Sequence, residues 1–356
     1  MTRAASRAAP VAARVLAWQR RHGRRGLPWQ GLRDPYRVWL SEVMLQQTQV
    51  ATAAAYYERF VARYREVAAL ATAPLDDVLA LWSGLGYYSR ARNLHRCAQA
   101  VLAQHGGEFP RTSAELAQLP GIGRSTAAAI AAFCFDERAA ILDGNVERVL
   151  ARYSGFAVDL ATTAARRELW TYAESLLPER AADMPAYTQG LMDLGATVCL
   201  ARQPLCDACP LSERCVARIG GRTAELPLRL RRRRRGQRSH VLLWLRHRDD
   251  VLLWRRPERG VWAGLWSLPQ FDDLRAARAA AARWPGRCRA LPQIHHVLTH
   301  FDWQLLPLRV ELPPRTAAAR RESIAAELDG RWIDATAALR MSLPAPVRKL
   351  LAAGAA

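Results

Sequence analysis

Through the first half of the chain, apolar residues return every three or four positions, the spacing of helices with one buried face. Val11, Val15 and Trp18 predict an N-terminal helix that leads toward Leu27-Pro28-Trp29. Asp34 followed by Pro35 reads as a helix start, an N-cap carboxylate before a ring already set at the helical φ, with Trp39, Val43 and Met44 as the apolar side. Helical patterns continue over 56–64 and 75–82, break at Ser83-Gly84-Leu85-Gly86, and resume in a basic helix with Arg90, Arg92 and Arg96. Further helices are predicted over 126–133, 164–177 and 187–196; with no strand alternation among them, this half is predicted all-α. After a run of arginines the period changes. Residues 241–245 and 251–254 flank an Asp249-Asp250 turn as a hairpin, 265–268, 294–299 and 303–310 add strands, and 273–283 and 316–328 add helices. This half is predicted α+β.

Composition turns two patterns into two domains. A chain of 356 residues, half of them hydrophobic, can build two cores. Gly220-Gly221 and the arginines from Arg229 to Arg235 predict a linker over 221–238, dividing 1–220 from 239–356. The net charge of +20 points to a polyanion, with nucleic acid first. Lys349 is the one lysine, so the positive charge is almost all arginine. No apolar run approaches the ~18 residues of a membrane span, and seven cysteines without a secretory signal suit a reducing compartment. The expectation is a cytoplasmic, nucleoid-associated monomer.

Three stretches carry candidate chemistry. Gly121-Ile122-Gly123 enters an Ala-rich helix and offers bare N–H groups to a phosphate, and Asp143 follows about one helix later in a Gly/Asn turn. Glu42 sits within an apolar helical stretch, where lost solvation raises a carboxyl toward the range of a general acid. Gln46, Gln47 and Thr48 follow it as polar groups able to touch bases or phosphates, and Tyr87 and Tyr88 at the Gly turn can wedge into a base stack. Cys199, Cys206, Cys209 and Cys215 lie within one short loop, 199–215. With a single close pair, their spacing fits a [4Fe–4S] cluster better than the two knuckles usual for zinc. Cys97, Cys134 and Cys288 are expected to behave as small apolar residues.

These motifs, together with Leu27-Pro28-Trp29, the run from Trp39 to Val50, Gly84-Leu85-Gly86-Tyr87-Tyr88, Leu142-Asp143-Gly144-Asn145-Val146 and Met192-Asp193-Leu194-Gly195-Ala196, resemble the MutY-type adenine DNA glycosylases over nearly the whole chain. The resemblance implies a multidomain protein: an all-α helix-hairpin-helix glycosylase domain with a [4Fe–4S] loop, then an α+β Nudix-like domain. The implied substrate is duplex DNA holding adenine opposite 8-oxoguanine or guanine. The family's roles place Glu42 as the acid that protonates the leaving base, Asp143 as the carboxylate that steadies the sugar cation, and Asn145 beside them. Trp29, Leu45, Val50 and Gln189 match pocket positions, while Gln47 and Tyr87 match those that fill the vacated stack. Ser125 stands where endonuclease III relatives carry a lysine nucleophile, which implies base removal without backbone cleavage. The family's Phe-Ser-His reader of 8-oxoguanine aligns with Leu298-Thr299-His300, with the aromatic lost and the hydroxyl and imidazole kept. The carboxylate-rich helix of Nudix hydrolases has no counterpart over 264–283, which implies no nucleotide hydrolysis. A bifunctional glycosylase/lyase and a non-catalytic Fe–S DNA-binding protein are the alternatives. The first would need a lysine in place of Ser125, and the second would need neither Glu42 nor Asp143.

Overall fold

The structure is a computed structural model that describes residues 2–228 and 235–354. The arginine run expected to form the linker lies largely outside the described residues, at 229–234. In chain order the helices are α1 (Thr2–His22), α2 (Pro35–Leu45), α3 (Val50–Arg63), α4 (Val67–Thr72), α5 (Leu75–Trp82), α6 (Ser89–His105), α7 (Ser113–Leu116), α8 (Arg124–Phe135), α9 (Gly144–Ser154), α10 (Thr163–Glu174), α11 (Met184–Thr197) and α12 (Val216–Ile219). The second half holds α13 (Leu274–Ala281), α14 (Ala318–Glu327), α15 (Ala335–Ala338) and α16 (Ala345–Gly354). Its strands are β1 (Gly236–His247), β2 (Asp250–Arg255), β3 (Trp266–Ser267), β4 (Gln270–Phe271), β5 (Arg287–Ala290), β6 (Ile294–Val297), β7 (Phe301–Glu311) and β8 (Gly330–Asp334). β1 begins inside the stretch 221–238 that the arginine-rich composition marks as linker.

The chain divides into two compact units. One takes the chain up to Thr72 and from Asn93 to the arginine run; the other takes Ala73–Arg92 together with the C-terminal half. The inclusion of 73–92 in the second unit is not visible in the sequence, because helical spacing is the same on either side of it.

In the first unit the predicted cap holds. Asp34 Oδ1 accepts from the Tyr36 and Arg37 amides at 2.9 and 3.3 Å, with Pro35 opening α2. α1, α8, α9, α10 and α11 bury Val11, Val15, Ala129, Leu150, Leu169 and Leu194 against one another. α11 crosses α9 at Gly195, where a Cβ would stand 2.7 Å from that of Asn145. Backbone contact this close needs a residue without a side chain.

The second unit is built on a mixed sheet of order β3-β2-β1-β7-β5, with β4 on β1, β6 on β7 and β8 on β2. β1 and β7 are parallel, from Gly236 opposite Phe301 to Arg246 opposite Glu311, and the other pairs are antiparallel. Val241, Leu243 and Leu245 pack with Ala277, Ala280 and Ile324 of α13 and α14, while Leu242 and Trp244 are buried on the opposite face. Burial on both faces explains an unbroken apolar run in place of alternation. α13 carries no carboxylate, and Asp273 spends its own as the N-cap, accepting from the Ala276 amide at 2.7 Å.

Candidate active site

Glu42 projects from α2 into a cavity of about 650 Å³ that Trp29, Leu45 and Gln189 also line. Burial pushes its carboxyl up to about 8, and the negative charge of Asp143 adds to the rise. A carboxyl in this range still carries its proton at neutral pH, as a general acid must. Trp29 closes one wall and meets the Tyr57 ring edge-on at 5.3 Å.

Asp143 is the N-cap of α9. Its Oδ1 accepts from both the Asn145 and Val146 amides, at 2.7 and 3.0 Å. A carboxylate here lies against the positive end of the helix dipole, and because Oδ1 takes both amides, Oδ2 is left for a substrate. Ser125, at the start of α8, accepts from the Leu142 amide at 3.0 Å, so its hydroxyl pins the residue just before Asp143. Asn145 accepts from Arg148 at 2.8 Å, and Arg148 also donates to the carbonyls of Gly195 and Cys199, both at 2.7 Å.

The turn into α8 is open. Gly121 has φ +79°, and a Cβ there would strike Asn93 at 2.6 Å. Gly123 is the N-cap, supplies no side-chain cap, and has nothing within 4 Å of a notional Cβ. Exposed amides at a helix N-terminus with no side chain over them suit a phosphate. Gln47, in the turn after α2, is exposed at φ +56°, a strained conformation for a residue with a side chain. Gln46 reaches the Thr126 hydroxyl at 3.5 Å, and the Thr48 hydroxyl donates to the Gln46 carbonyl at 3.4 Å. Val50 is half-buried at the first turn of α3.

Comparison with known proteins meets this geometry on both halves of the chain. Residues 40–175 match the HhH-GPD superfamily of base excision DNA repair proteins, and residues 240–353 match the NUDIX domain. An adenine DNA glycosylase of Buchnera aphidicola subsp. Acyrthosiphon pisum (strain APS) is 34% identical over 340 residues, covering 95% of each chain. The chain belongs to the adenine DNA glycosylase family. The adenine DNA glycosylase of Mus musculus is 33% identical over 371 residues, covering 85% of this chain and 71% of its own. Among solved structures, a thermostable thymine-DNA glycosylase superposes with a TM-score of 0.52 at 28% identity, over 59% of this chain and 95% of that one.

The glycosylase holds its four loop cysteines around one small cavity, which Arg152 also lines. Arg152 is buried, donates to Cys199 Sγ at 3.4 Å, and accepts from Cys215 Sγ at its carbonyl at 3.5 Å. Burial pushes the Cys209 thiol up to about 11, and the neighbouring thiols add to that rise. Among the described residues, no three ligating side chains converge as they would on a single metal ion. Of the other cysteines, Cys97 and Cys134 are buried as expected, but Cys288 is exposed on β5, so it does not behave as a core residue.

Within the second unit the structure separates the two tyrosines of the Gly turn. Tyr87 is 47% exposed at φ +49°. Tyr88 is buried, and its hydroxyl donates to the Leu343 carbonyl at 3.0 Å. Tyr88 is therefore a packing residue, not a DNA contact. Arg90 departs from the expected basic face as well: it is buried, donates to the Leu85 and Gly86 carbonyls at 3.3 and 3.2 Å, and braces the turn. Leu298, Thr299 and His300 form the tip of the β6–β7 hairpin, closed by the Leu298 amide on the Phe301 carbonyl at 3.0 Å. Thr299 and His300 are exposed, Leu298 is half-buried, and the Thr299 hydroxyl lies 3.1 Å from that of Tyr87.

Sequence reasoning missed two residues of the cavity's support. Arg24 lines the cavity, and the buried Asp193 holds it. Asp193 lies in the Met-Asp-Leu-Gly-Ala motif, but an acid in a helix carries no mark of which loop it will meet.

Proposed function

We propose that this glycosylase flips adenine, mispaired with 8-oxoguanine or guanine in duplex DNA, out of the base stack and hydrolyses its N-glycosidic bond, leaving the backbone uncut. The observation that carries the reading is the pair of carboxyls in opposite environments: Glu42 raised to about 8 by burial, and Asp143 tied to two amides at a helix N-terminus. Environments that separate two carboxyls in this way assign the acid and the charge stabiliser.

The base enters the cavity beside Trp29 and Leu45. Flipping costs a few kcal/mol of stacking and pairing, and Tyr87 and Gln47 offset it by filling the gap, each presented on a turn at positive φ. Glu42 gives its proton to N7 of adenine, the C–N bond lengthens, and Asp143 Oδ2 faces the positive charge that grows at the anomeric carbon, as in glycoside hydrolysis. Adenine leaves carrying that proton, a water oxygen bonds to the anomeric carbon, and the water's proton returns to the Glu42 carboxylate. Ser125 supplies no amine for a Schiff base; its hydroxyl holds Leu142, and through it the approach to Asp143. The Gly121–Gly123 turn takes the DNA phosphate, and Thr299 and His300 read 8-oxoguanine, where Thr donates and accepts as Ser does.

A [4Fe–4S] cluster would be held by Cys199, Cys206, Cys209 and Cys215. Four thiols lining one cavity fit it, because such a cluster is held by four cysteine thiolates. Bound there, it would cross-link 199–215 into one folded loop. The enzyme works as a monomer in the cytoplasm, on the nucleoid.

The test is a strand-nick assay on duplexes with adenine opposite 8-oxoguanine, guanine or cytosine, with and without alkali. Nicks that need alkali and rank 8-oxoguanine first support the reading. Nicks without alkali point to a lyase, and none at all to a binding protein.

A further inference from the structure

The Asp193 carboxylate, on α11, is wholly buried. Its Oδ2 accepts from the Arg24 amide at 2.9 Å, and its Oδ1 accepts from Arg24 Nε at 2.6 Å and from Gln189 Nε2 at 2.8 Å. Gln189 lies one turn before it on the same helix and lines the cavity that holds Glu42. The Arg24 carbonyl in turn accepts from Gln30 Nε2 at 2.7 Å, and Gln30 Oε1 accepts from the Leu27 amide at 3.1 Å. One carboxylate thus secures both the loop that carries Trp29 and the amide of Gln189.

We infer that Asp193 is a positioning residue that fixes which end of the Gln189 amide the base meets, and so sets the preference for a 6-amino purine over a 6-oxo purine. An amide has two faces of opposite character, a donor NH2 and an acceptor oxygen, and in water it turns freely between them. An ion-paired carboxylate only accepts, so Gln189 must give it the nitrogen. The oxygen is left as the end free to meet a ligand. An acceptor at that place pairs with the exocyclic amine of adenine and faces the 6-oxygen of hypoxanthine or guanine with like charge. A site built to hydrogen-bond one group rejects its analogue because the buried partner is then unpaired.

The inference rests on the proposed base excision and adds the origin of its base preference. The experiment measures single-turnover release of adenine, hypoxanthine and unsubstituted purine, each opposite 8-oxoguanine, by the wild type and by Asp193→Asn. Asn has one acceptor oxygen for the three donors that the carboxylate takes, so Gln189 is no longer bound to give its nitrogen and can turn and point N–H at the base. The adenine-to-hypoxanthine ratio is expected to fall by about tenfold, the worth of one hydrogen bond of about 1.4 kcal/mol, with purine release changed much less. Comparing each base with itself across variants cancels differences in leaving ability. Gln189→Leu, which leaves the Asp193–Arg24 pair intact, should lower the same ratio, and Asp193→Asn added to it should lower it no further. Equal losses for all three bases, or an unchanged ratio in Gln189→Leu, overturn the inference. A wild type that releases no adenine overturns the proposed function itself.

Discussion

Replacing Glu42 by Gln removes a titrating group from the cavity and keeps its shape. Burial and the charge of Asp143 raise this carboxyl from 4.5 to about 8. At ~1.4 kcal/mol for each pH unit, the ionised form is disfavoured in the folded state by up to about 5 kcal/mol, less by whatever water the cavity admits. The sign follows from linkage. Below 4.5 the carboxyl is protonated folded and unfolded, and burial of the charge costs nothing. Between 4.5 and about 8 the unfolded chain releases the proton and the folded chain keeps it, so stability drains away as pH rises, levelling off above 8. Glu42→Gln never pays this penalty. Its advantage in melting temperature over the wild type should be near zero at about pH 5 and grow to the order of 10 °C by about pH 9. Catalysis moves the other way: adenine release by the wild type should hold steady to about pH 8 and then fall about tenfold per unit as the proton is lost, while Glu42→Gln should be slow at every pH. A melting difference that does not change with pH, or a wild-type rate that already falls near the usual carboxyl range, would refute the assignment of Glu42 as a buried acid.

Ser125→Ala should slow excision by about tenfold through the loosened approach to Asp143, the loss of one hydrogen bond, and borohydride should trap no covalent DNA complex in either protein; trapping in the wild type would contradict water as nucleophile. Gly195→Ala should cost roughly 1–3 kcal/mol by forcing α11 off α9, measured as a lower melting temperature together with slower excision, since Asn145 is the residue it displaces. Thr299→Ala with His300→Ala should narrow the preference for 8-oxoguanine:A over G:A while leaving G:A excision near the wild-type rate; an unaltered preference would remove the hairpin tip from lesion reading. Raising salt should weaken DNA binding steeply, since each neutralised phosphate releases counterions; a flat dependence would set aside the Gly121–Gly123 turn and the arginines as the DNA surface.

Periodicity and caps made the elements legible. The Asp34-Pro35 start, the 75–82 helix and the change of pattern after the arginine run depend on neighbours a few residues apart, and the structure keeps them. Short strands were less visible: β4, β5 and β8 are too brief or too exposed for a pattern, and their pairing with β1, β7 and β2 is what makes them strands. Tyr87 and Tyr88 are adjacent and chemically alike, and only the fold sends one to solvent and the other to the Leu343 carbonyl. Arg90 reads as a basic surface and is in fact an internal brace.

By itself the sequence determined the chemistry available: two carboxyls, a serine in place of a lysine, four clustered thiols and a surplus of arginine. It did so because residue type and spacing are local properties. Tertiary structure alone decided what each group is worth. The Glu42 carboxyl is raised through burial and through a charge a hundred residues away in the chain, Asp143 is fixed by the amides of α9, and Gln189 is turned by a carboxylate that also grips Arg24. Desolvation, charge and hydrogen-bond direction depend on distance in space, and distance in space is what a linear pattern does not record.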